Sequence, residues 1–277
     1  MNGDRATLRY LAGMLEARTG QQIGPNRLWR IETVLKRVLR ERGIPDLPAL
    51  ARMLMTGADA ALADAVVTAL LNNETFFFRD APAFEQLRSG ALEALRVERA
   101  ATRRLSLWSA GCSTGQEAYS LAMLFADAGS RWDGWTIDIV ATDICAAAIA
   151  RARAGRYSQF EIQRGLPAKA MLHWFEQVGE DWRVTPALAK RLRFKRHHLL
   201  EAPPPGRFDV ILCRNVLLYF GADRRAEAFE RLAGALAPDG YLMLGAGETV
   251  IGQTDAFMAD PVLRGLYRPA GRVRRAA

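Results

Sequence analysis

The chain has 277 residues, half apolar and a quarter charged. That is the balance of a globular protein with one or two domains, not of a disordered or fibrous one. No run of eighteen apolar residues occurs, the opening MNGDRATLRYLAG lacks a signal-peptide core, and Cys112, Cys145 and Cys213 stand far apart, so membrane-spanning, secreted and disulfide-framework classes fit poorly and a reducing cytoplasm is expected. A net charge of +8 points to an acidic partner, which composition leaves open between nucleic acid and an acidic protein surface.

The first eighty residues read as helices. Leu8, Leu11 and Leu15 recur at helical spacing, and Leu28, Ile31, Val34, Leu35, Val38 and Leu39 form a stronger stripe. Two more helical stretches are predicted near 47–55 and 59–71, punctuated by Pro25, Gly43, Pro45, Pro48 and Gly57. On the second helix Arg30, Lys36, Arg37 and Arg40 fall within ~120° of arc opposite the apolar stripe. Residues 27–42 carry six basic and two acidic side chains. Such a face is either a solvated surface or a docking helix for an acidic partner.

Residues 80–103 are predicted as a linker helix. Short apolar runs then follow at 105–110, 136–142, 192–197, 208–213 and 241–245, with helical patterns at 115–128, 144–154 and 222–236. Alternating strands and helices predict an α/β domain with a mostly parallel, doubly wound sheet. The stretch 155–190, with Trp174 and Trp182, breaks the alternation and reads as a small inserted subdomain. The C-terminal end from Arg264 carries five arginines and no acid, and reads as a solvated or frayed end.

Four features could carry chemistry. Gly111 and Gly115 bracket a strand-to-helix turn in WSAGCSTGQEAYS, where backbone N–H groups can approach a ligand; alone, this is as often simple chain reversal. Asp143 ends the second strand, where an acid either accepts ribose hydroxyls or caps the next helix. NNETFFFRD (72–80) is either a buried junction or a ligand-lining turn, and CRNVLLYF (213–220) poses the same choice for Arg214, Asn215 and Tyr219. His173, His197 and His198 have no metal-ligand spacing, so no metal site is predicted, and the cysteines read as buried.

Taken together, these segments resemble the CheR-type chemotaxis receptor methyltransferases. The family's N-x-T-x-F-F-R stands here at 73–79, its S-x-G-x-S-T-G-[EQ]-E-P-Y-S at 109–120, its A-T-D at 141–143, its C-R-N-V-x-x-Y-F at 213–220 and its L-x-P-x-G at 236–240. The resemblance spans nearly the whole chain. It implies an all-α N-terminal domain (1–79) that docks the receptor, the linker helix (80–103), and a Rossmann-like methyltransferase domain (104–277) with a β-rich insert. It also implies transfer of a methyl group from S-adenosylmethionine to glutamate carboxylates of chemoreceptors, leaving S-adenosylhomocysteine.

Roles follow from the same resemblance. Asn73, Thr75 and Arg79 would contact the cofactor's methionine end, Glu117 would bind it from the helix start, and Asp143 would hold the ribose hydroxyls. Asn215 and Val216 would line the pocket. His198 and Leu199 stand where the family has an Asn-Leu pair that contacts the adenosine. Arg79 and Tyr219 match the residues nearest the transferred methyl. An imidazole at 198 replaces one amide hydrogen bond but not a donor-plus-acceptor pair, so cofactor binding is expected to persist in weakened form. Ala118 replaces a proline, Cys145 an acid, and Gly245-Ala246-Gly247-Glu248 a G-H-S-E. The short FEQVGEDWRV (175–184) implies a member that does not tether to a receptor pentapeptide, which strengthens the docking reading of Arg30, Lys36, Arg37 and Arg40. Two rivals are an RNA methyltransferase of the same fold and a signalling adaptor that has lost catalysis.

Overall fold

The computed structural model describes residues 2–271, and contacts divide the chain into two units. The first comprises residues up to Asn72 together with Tyr219–Arg224; the second holds the rest.

The first unit contains α1 (Asn2–Thr19), α2 (Trp29–Arg42), α3 (Leu47–Met55) and α4 (Ala60–Leu70). The residues at helical spacing point inward: Leu11, Leu15, Ile31, Leu35, Leu50, Leu62, Val66 and Leu70 are buried, each worth about 1.5–3 kcal/mol on transfer from water. The breaks have local causes. Gly43 ends α2 in the left-handed conformation, while the Asp46 and Asp59 carboxylates accept from the Ala49 and Leu62 amides at the starts of α3 and α4. Within this unit the segment after residue 218 is pinned beside α1: Gln21 bridges Phe220, and the Gln22 amide donates to the Tyr219 carbonyl at 2.7 Å.

The second unit opens with an extended, turning stretch at 73–80, followed by α5 (Ala81–Gln86) and α6 (Leu92–Glu98), joined through one π turn at Leu87–Ala91. Next come β1 (Arg104–Ala110), α7 (Gln116–Ala126), β2 (Thr136–Asp143) and α8 (Ala146–Ala154). The insert supplies β3 (Arg156–Ser158), α9 (Gln159–Gln163), α10 (Ala168–Trp174), β4 (Phe175–Val178), β5 (Asp181–Val184) and α11 (Pro186–Ala189). The chain closes with β6 (Leu192–Arg196), β7 (Phe208–Cys213), α12 (Ala222–Ala235), β8 (Leu236–Leu244), β9 (Phe257–Ala259) and β10 (Leu266–Pro269).

The main sheet runs β6-β2-β1-β7-β8-β10-β9, parallel from β6 to β8, with β10 antiparallel to both its neighbours. The Rossmann-like α/β architecture is as expected. Strands β9 and β10 went unpredicted because three or four residues bounded by turns carry too little periodicity to separate strand from loop. The insert is a small antiparallel sheet, β3-β5-β4, whose β4–β5 hairpin turns on Gly179 and Glu180 alone. The chain progresses outward in both directions from the adjacent strands β1 and β7. Their carboxyl ends therefore border the crevice where folds of this class take ligands.

Arg99, just past α6, clamps the opposite end of these strands. Its guanidinium takes Asp239 through two bonds of 2.6 and 2.7 Å and Asp209 at 2.8 Å, while Asp209 also accepts from the Ser106 amide. The reading of the C-terminal end as solvated needs correction at Arg268, which lies in β10 and pairs with Asp260 at 2.6 Å. Arg272, Arg274 and Arg275 lie outside the described residues. Among the described residues no helix is long and apolar enough to cross a membrane.

Candidate functional site

The site is built where β1, β2 and β7 end. After β1 the backbone must reverse within five residues, and Gly111 and Gly115 do so at φ of +82° and +97°. A side chain at 111 would put its Cβ 2.4 Å from Val216 Cγ2, and one at 115 would meet Ala152 Cβ at 2.9 Å. The glycines are thus required both by conformation and by the close approach of the 216 segment and of α8. The Gly111 and Cys112 amides both donate to the Thr142 carbonyl, at 2.8 and 2.9 Å, fastening the turn to β2.

Asp143 organises this rim. Its carboxylate accepts from the Ser113 amide and from the Cys145 amide, each at 2.8 Å. The alternative in which Asp143 caps α8 is incorrect: the cap is Cys145, whose Sγ accepts from the Ala148 amide at 3.4 Å. Burial raises the Asp143 carboxyl above its ordinary value, and the amide hydrogen bonds only partly offset that. Each oxygen keeps a lone pair for a further donor.

Glu117, in the first turn of α7, is buried. It accepts from Ser109 Oγ at 2.8 Å and from Arg214 Nη1 at 3.2 Å. Burial raises this carboxyl too, against the opposing pull of Arg214 and Ser109. Arg214, with its side chain only 1% exposed, also donates to Asp80 Oδ2 at 2.6 Å and to the Arg79 carbonyl at 2.8 Å, and its guanidinium lies over the Phe84 ring. The end of β7, the start of α7 and the start of α5 are thereby tied through one buried cation.

The three phenylalanines of the 73–80 stretch pack in different ways. Phe77 is fully buried and meets Tyr157 and Phe175 edge-on, with centroids 5.1 and 5.4 Å away. Phe78 packs edge-on against Phe84. Phe76 lies under the guanidinium groups of Arg164 and Arg79. Ser113 Oγ donates to the Asn73 carbonyl at 2.7 Å, and Asn73 Nδ2 approaches Cys145 Sγ at 3.6 Å, so this stretch joins the rim directly. Two polar groups have no side-chain hydrogen-bond partner among the described residues. Arg79 donates only to the Glu74 carbonyl at 3.2 Å and has no carboxylate partner among the described residues, and the half-buried Thr75 hydroxyl has no hydrogen bond there.

Asn215 and Val216 follow β7 in a turn with Asn215 at φ +58°. Glu248, which the sequence reading treated only as part of a departure from the family pattern, holds this turn. Its carboxylate accepts from the amides of Asn215 (2.7 Å), Gly245 (2.9 Å), Val216 (3.0 Å) and Leu218 (3.1 Å). A Cβ at Gly245 would stand 2.8–2.9 Å from Asn215. The signal was the four-residue spacing Gly245-x-x-Glu248, which only the facing turn makes meaningful. Asn215 Oδ1 is buried without a partner.

Positive φ at non-glycine residues is uncommon and costs about 1–3 kcal/mol where sparsely populated. Among the described residues it occurs at Phe78, Asp80, Arg103, Ser113 and Asn215. Four of these five flank Arg79, sit between the two rim glycines or begin the Asn215–Val216 turn, so the backbone's least favoured conformations gather at the candidate site.

His198 and Leu199 follow β6, where the His197 amide donates to the Asp143 carbonyl at 3.0 Å and His198 Nδ1 accepts from the Leu200 amide at 3.1 Å. Tyr219 belongs to the first unit, where its hydroxyl accepts from Asn72 Nδ2. Arg30 on α2 is half-buried, and Lys36, Arg37 and Arg40 are exposed, with Arg37 3.5 Å from Glu41. All three cysteines are free and buried, and burial pushes the Cys112 and Cys213 thiols well up, which suits packing rather than nucleophilic chemistry.

Residues 73–262 match the family described as CheR methyltransferase, SAM binding domain. The chain is 34% identical over 257 residues to chemotaxis protein methyltransferase 1 of Pseudomonas aeruginosa, covering 90% of this chain and 92% of that one. It is 33% identical over 250 residues to chemotaxis protein methyltransferase Cher2 of Pseudomonas putida, covering 88% and 90%. Against the chemotaxis protein methyltransferase of Vibrio anguillarum it is 35% identical over 254 residues, covering 90% and 91%. Sequence motifs, sheet order and the rim at the ends of β1, β2 and β7 agree with this likeness, and the chain belongs to the CheR family of methyltransferases that use S-adenosylmethionine.

Proposed function

We propose that the protein methylates glutamate side chains of chemoreceptors, using S-adenosylmethionine and no pentapeptide tether, within the cytoplasm. The observation that carries this reading is the rim itself. The 73–80 stretch, the 111–117 turn, Asp143 and the 214–216 turn are joined by direct hydrogen bonds and ion pairs, while among the described residues Arg79 has no carboxylate partner and the Thr75 hydroxyl no hydrogen bond.

The rim suits the cofactor. Gly111 leaves a cradle that a side chain would fill, Asn215 Oδ1 is a buried acceptor without a donor, and Asp143 and Glu117 keep acceptor capacity. On this reading Asp143 takes the ribose hydroxyls, and Asn73, Thr75, Arg79 and Glu117 take the methionine end. Asn215, Val216, His198 and Leu199 line the remainder. When bound, the cofactor supplies a methyl on a sulfonium: the new oxygen–carbon bond forms as the carbon–sulfur bond breaks with its electron pair going to sulfur, giving a methyl ester and S-adenosylhomocysteine.

A glutamate is already ionised at neutral pH, with an ordinary pKa of about 4.3, so no general base is needed. What the protein must contribute is orientation, which supplies roughly 7–11 kcal/mol of barrier reduction in well-placed reactions. Arg79, lacking an internal carboxylate partner, is assigned to orient the incoming carboxylate, and Tyr219 to position it through its hydroxyl. The basic face of α2, with Arg30, Lys36, Arg37 and Arg40 and the exposed Trp29 at its start, suits an acidic helical surface. The two-residue turn of the β4–β5 hairpin supports tether independence, because it offers no extended loop to clasp a peptide.

The test is incubation with radiolabelled S-adenosylmethionine and an isolated receptor signalling domain, followed by alkali. Label released as methanol is expected. Label in RNA, or none transferred to any receptor domain of the parent organism, would overturn the reading.

A further inference from the structure

Within the second unit, the insert reaches the 73–80 stretch through the short segment that leaves α9. Ser158 and Glu161 form a capping box at the start of that helix, and Gly165 turns the chain just past its end at φ +82°. A Cβ at Gly165 would stand 2.1 Å from the Phe77 carbonyl oxygen, so glycine is what lets this segment lie against the stretch. Arg164 is thereby delivered to Glu74 and Phe76. Its Nη2 donates to Glu74 Oε1 at 2.7 Å, and its guanidinium carbon lies 4.4 Å from the centre of the Phe76 ring. Arg79 reaches the same two residues differently. Its Nη1 donates to the Glu74 carbonyl at 3.2 Å, not to the carboxylate, and its guanidinium carbon lies 5.5 Å from the same ring centre. Two cations thus share one ring and one glutamate, and Arg164 holds the carboxylate.

From this sharing we infer that Arg164 is a positioning residue for methyl transfer: by occupying the Glu74 carboxylate it keeps Arg79 from being captured there. The inference rests on the proposed glutamate methylation, in which Arg79 orients the acceptor, and it names what keeps that guanidinium available. An ionised acceptor makes a stronger hydrogen bond to a guanidinium than a backbone carbonyl does. Without Arg164, a turn of the Glu74 side chain exchanges the carbonyl contact of Arg79 for a carboxylate one within the same residue. The competitor is then the substrate's own functional group, a glutamate carboxylate, already tethered beside the cation. The side chains of Arg164 and Glu74 are 41% and 54% exposed. Their pair therefore adds little to stability, and capture by so exposed a carboxylate shifts Arg79 by no more than about fivefold.

The experiment measures kcat/KM for ester formation on a receptor signalling domain, with the full chain and saturating S-adenosylmethionine. R164Q is expected to lower it about fivefold with an unchanged Tm, and R164K to retain most of the wild-type value. E74Q/R164Q, which removes the competing charge as well, is expected to return to within about twofold of wild type. A merely structural bond would not recover in this way, because E74Q takes away the same bond. In an R79A background, R164Q is expected to change nothing further. A wild-type rate in R164Q, or a loss that persists in E74Q/R164Q or adds to that of R79A, would overturn the inference. Absence of ester from the wild-type protein would instead overturn the proposed function.

Discussion

Glu248 bonds no substrate on any reading, yet it fixes the turn that presents Asn215. Four amide donors converge on one carboxylate, and a glutamine there turns an amino group toward donors that need an acceptor. Leaving a buried donor unsatisfied costs about 1–3 kcal/mol. Glu248→Gln is therefore expected to weaken S-adenosylhomocysteine binding by about tenfold or more, measured by calorimetry; an unchanged affinity would remove Glu248 from the site. Arg79 and Arg214 make a contrasting pair. Arg79→Ala breaks no ion pair, so its melting temperature should stay close to wild type while receptor methylation falls by at least about a hundredfold, the scale for a lost positioning contact. Arg214→Met strands Glu117 in a buried position and should cost about 3–5 kcal/mol of stability in denaturant unfolding.

At the level of elements, α2 combines a buried stripe with a basic face, and the two halves do different work. Ile31, Leu35 and Val38 hold the helix in its unit, whereas Lys36, Arg37 and Arg40 are exposed and dispensable to the core. Replacing these three with alanine should leave stability within about 0.5 kcal/mol each, as surface changes do. It should raise KM for the receptor domain and flatten the dependence of KM on salt, because exposed charges act through a field screened over about 8 Å at physiological ionic strength. A salt dependence as steep in the triple variant as in wild type would place docking elsewhere.

The molecule as a whole couples its site to pH. Burial raises the Asp143 and Glu117 carboxyls in the folded protein. The folded state then holds those protons more tightly than the unfolded chain. Between the ordinary carboxylate value and the raised one, stability falls as pH increases. Ribose hydroxyls donating to Asp143 would favour its ionised form, so ligand affinity is expected to rise with pH through the same window. Calorimetry of S-adenosylhomocysteine in two buffers of different ionisation heat should detect proton release on binding, and proton uptake would reverse the assignment. Ligand at a hundred times its Kd should also stabilise the folded chain by about 2.7 kcal/mol, visible as a raised Tm.

Local chemistry was legible in the residues themselves. Helical spacing at Leu11, Leu15, Ile31 and Leu35, glycine at 111 and 115, and an acid after IVAT each follow from rules that act within a few positions, and motif order carried the likeness to a methyltransferase family. What required the folded chain was every relation between distant segments. Glu248 acquires meaning only when residues 245–248 meet the turn at 215–216, Arg214 only when β7 ends beside α5 and α7, and Tyr219 only when Gln21 and Gln22 pair with its segment. Backbone periodicity is a property of neighbours along the chain, whereas a carboxylate's acceptors and a guanidinium's partners are chosen by packing across it, and tertiary structure alone decides those.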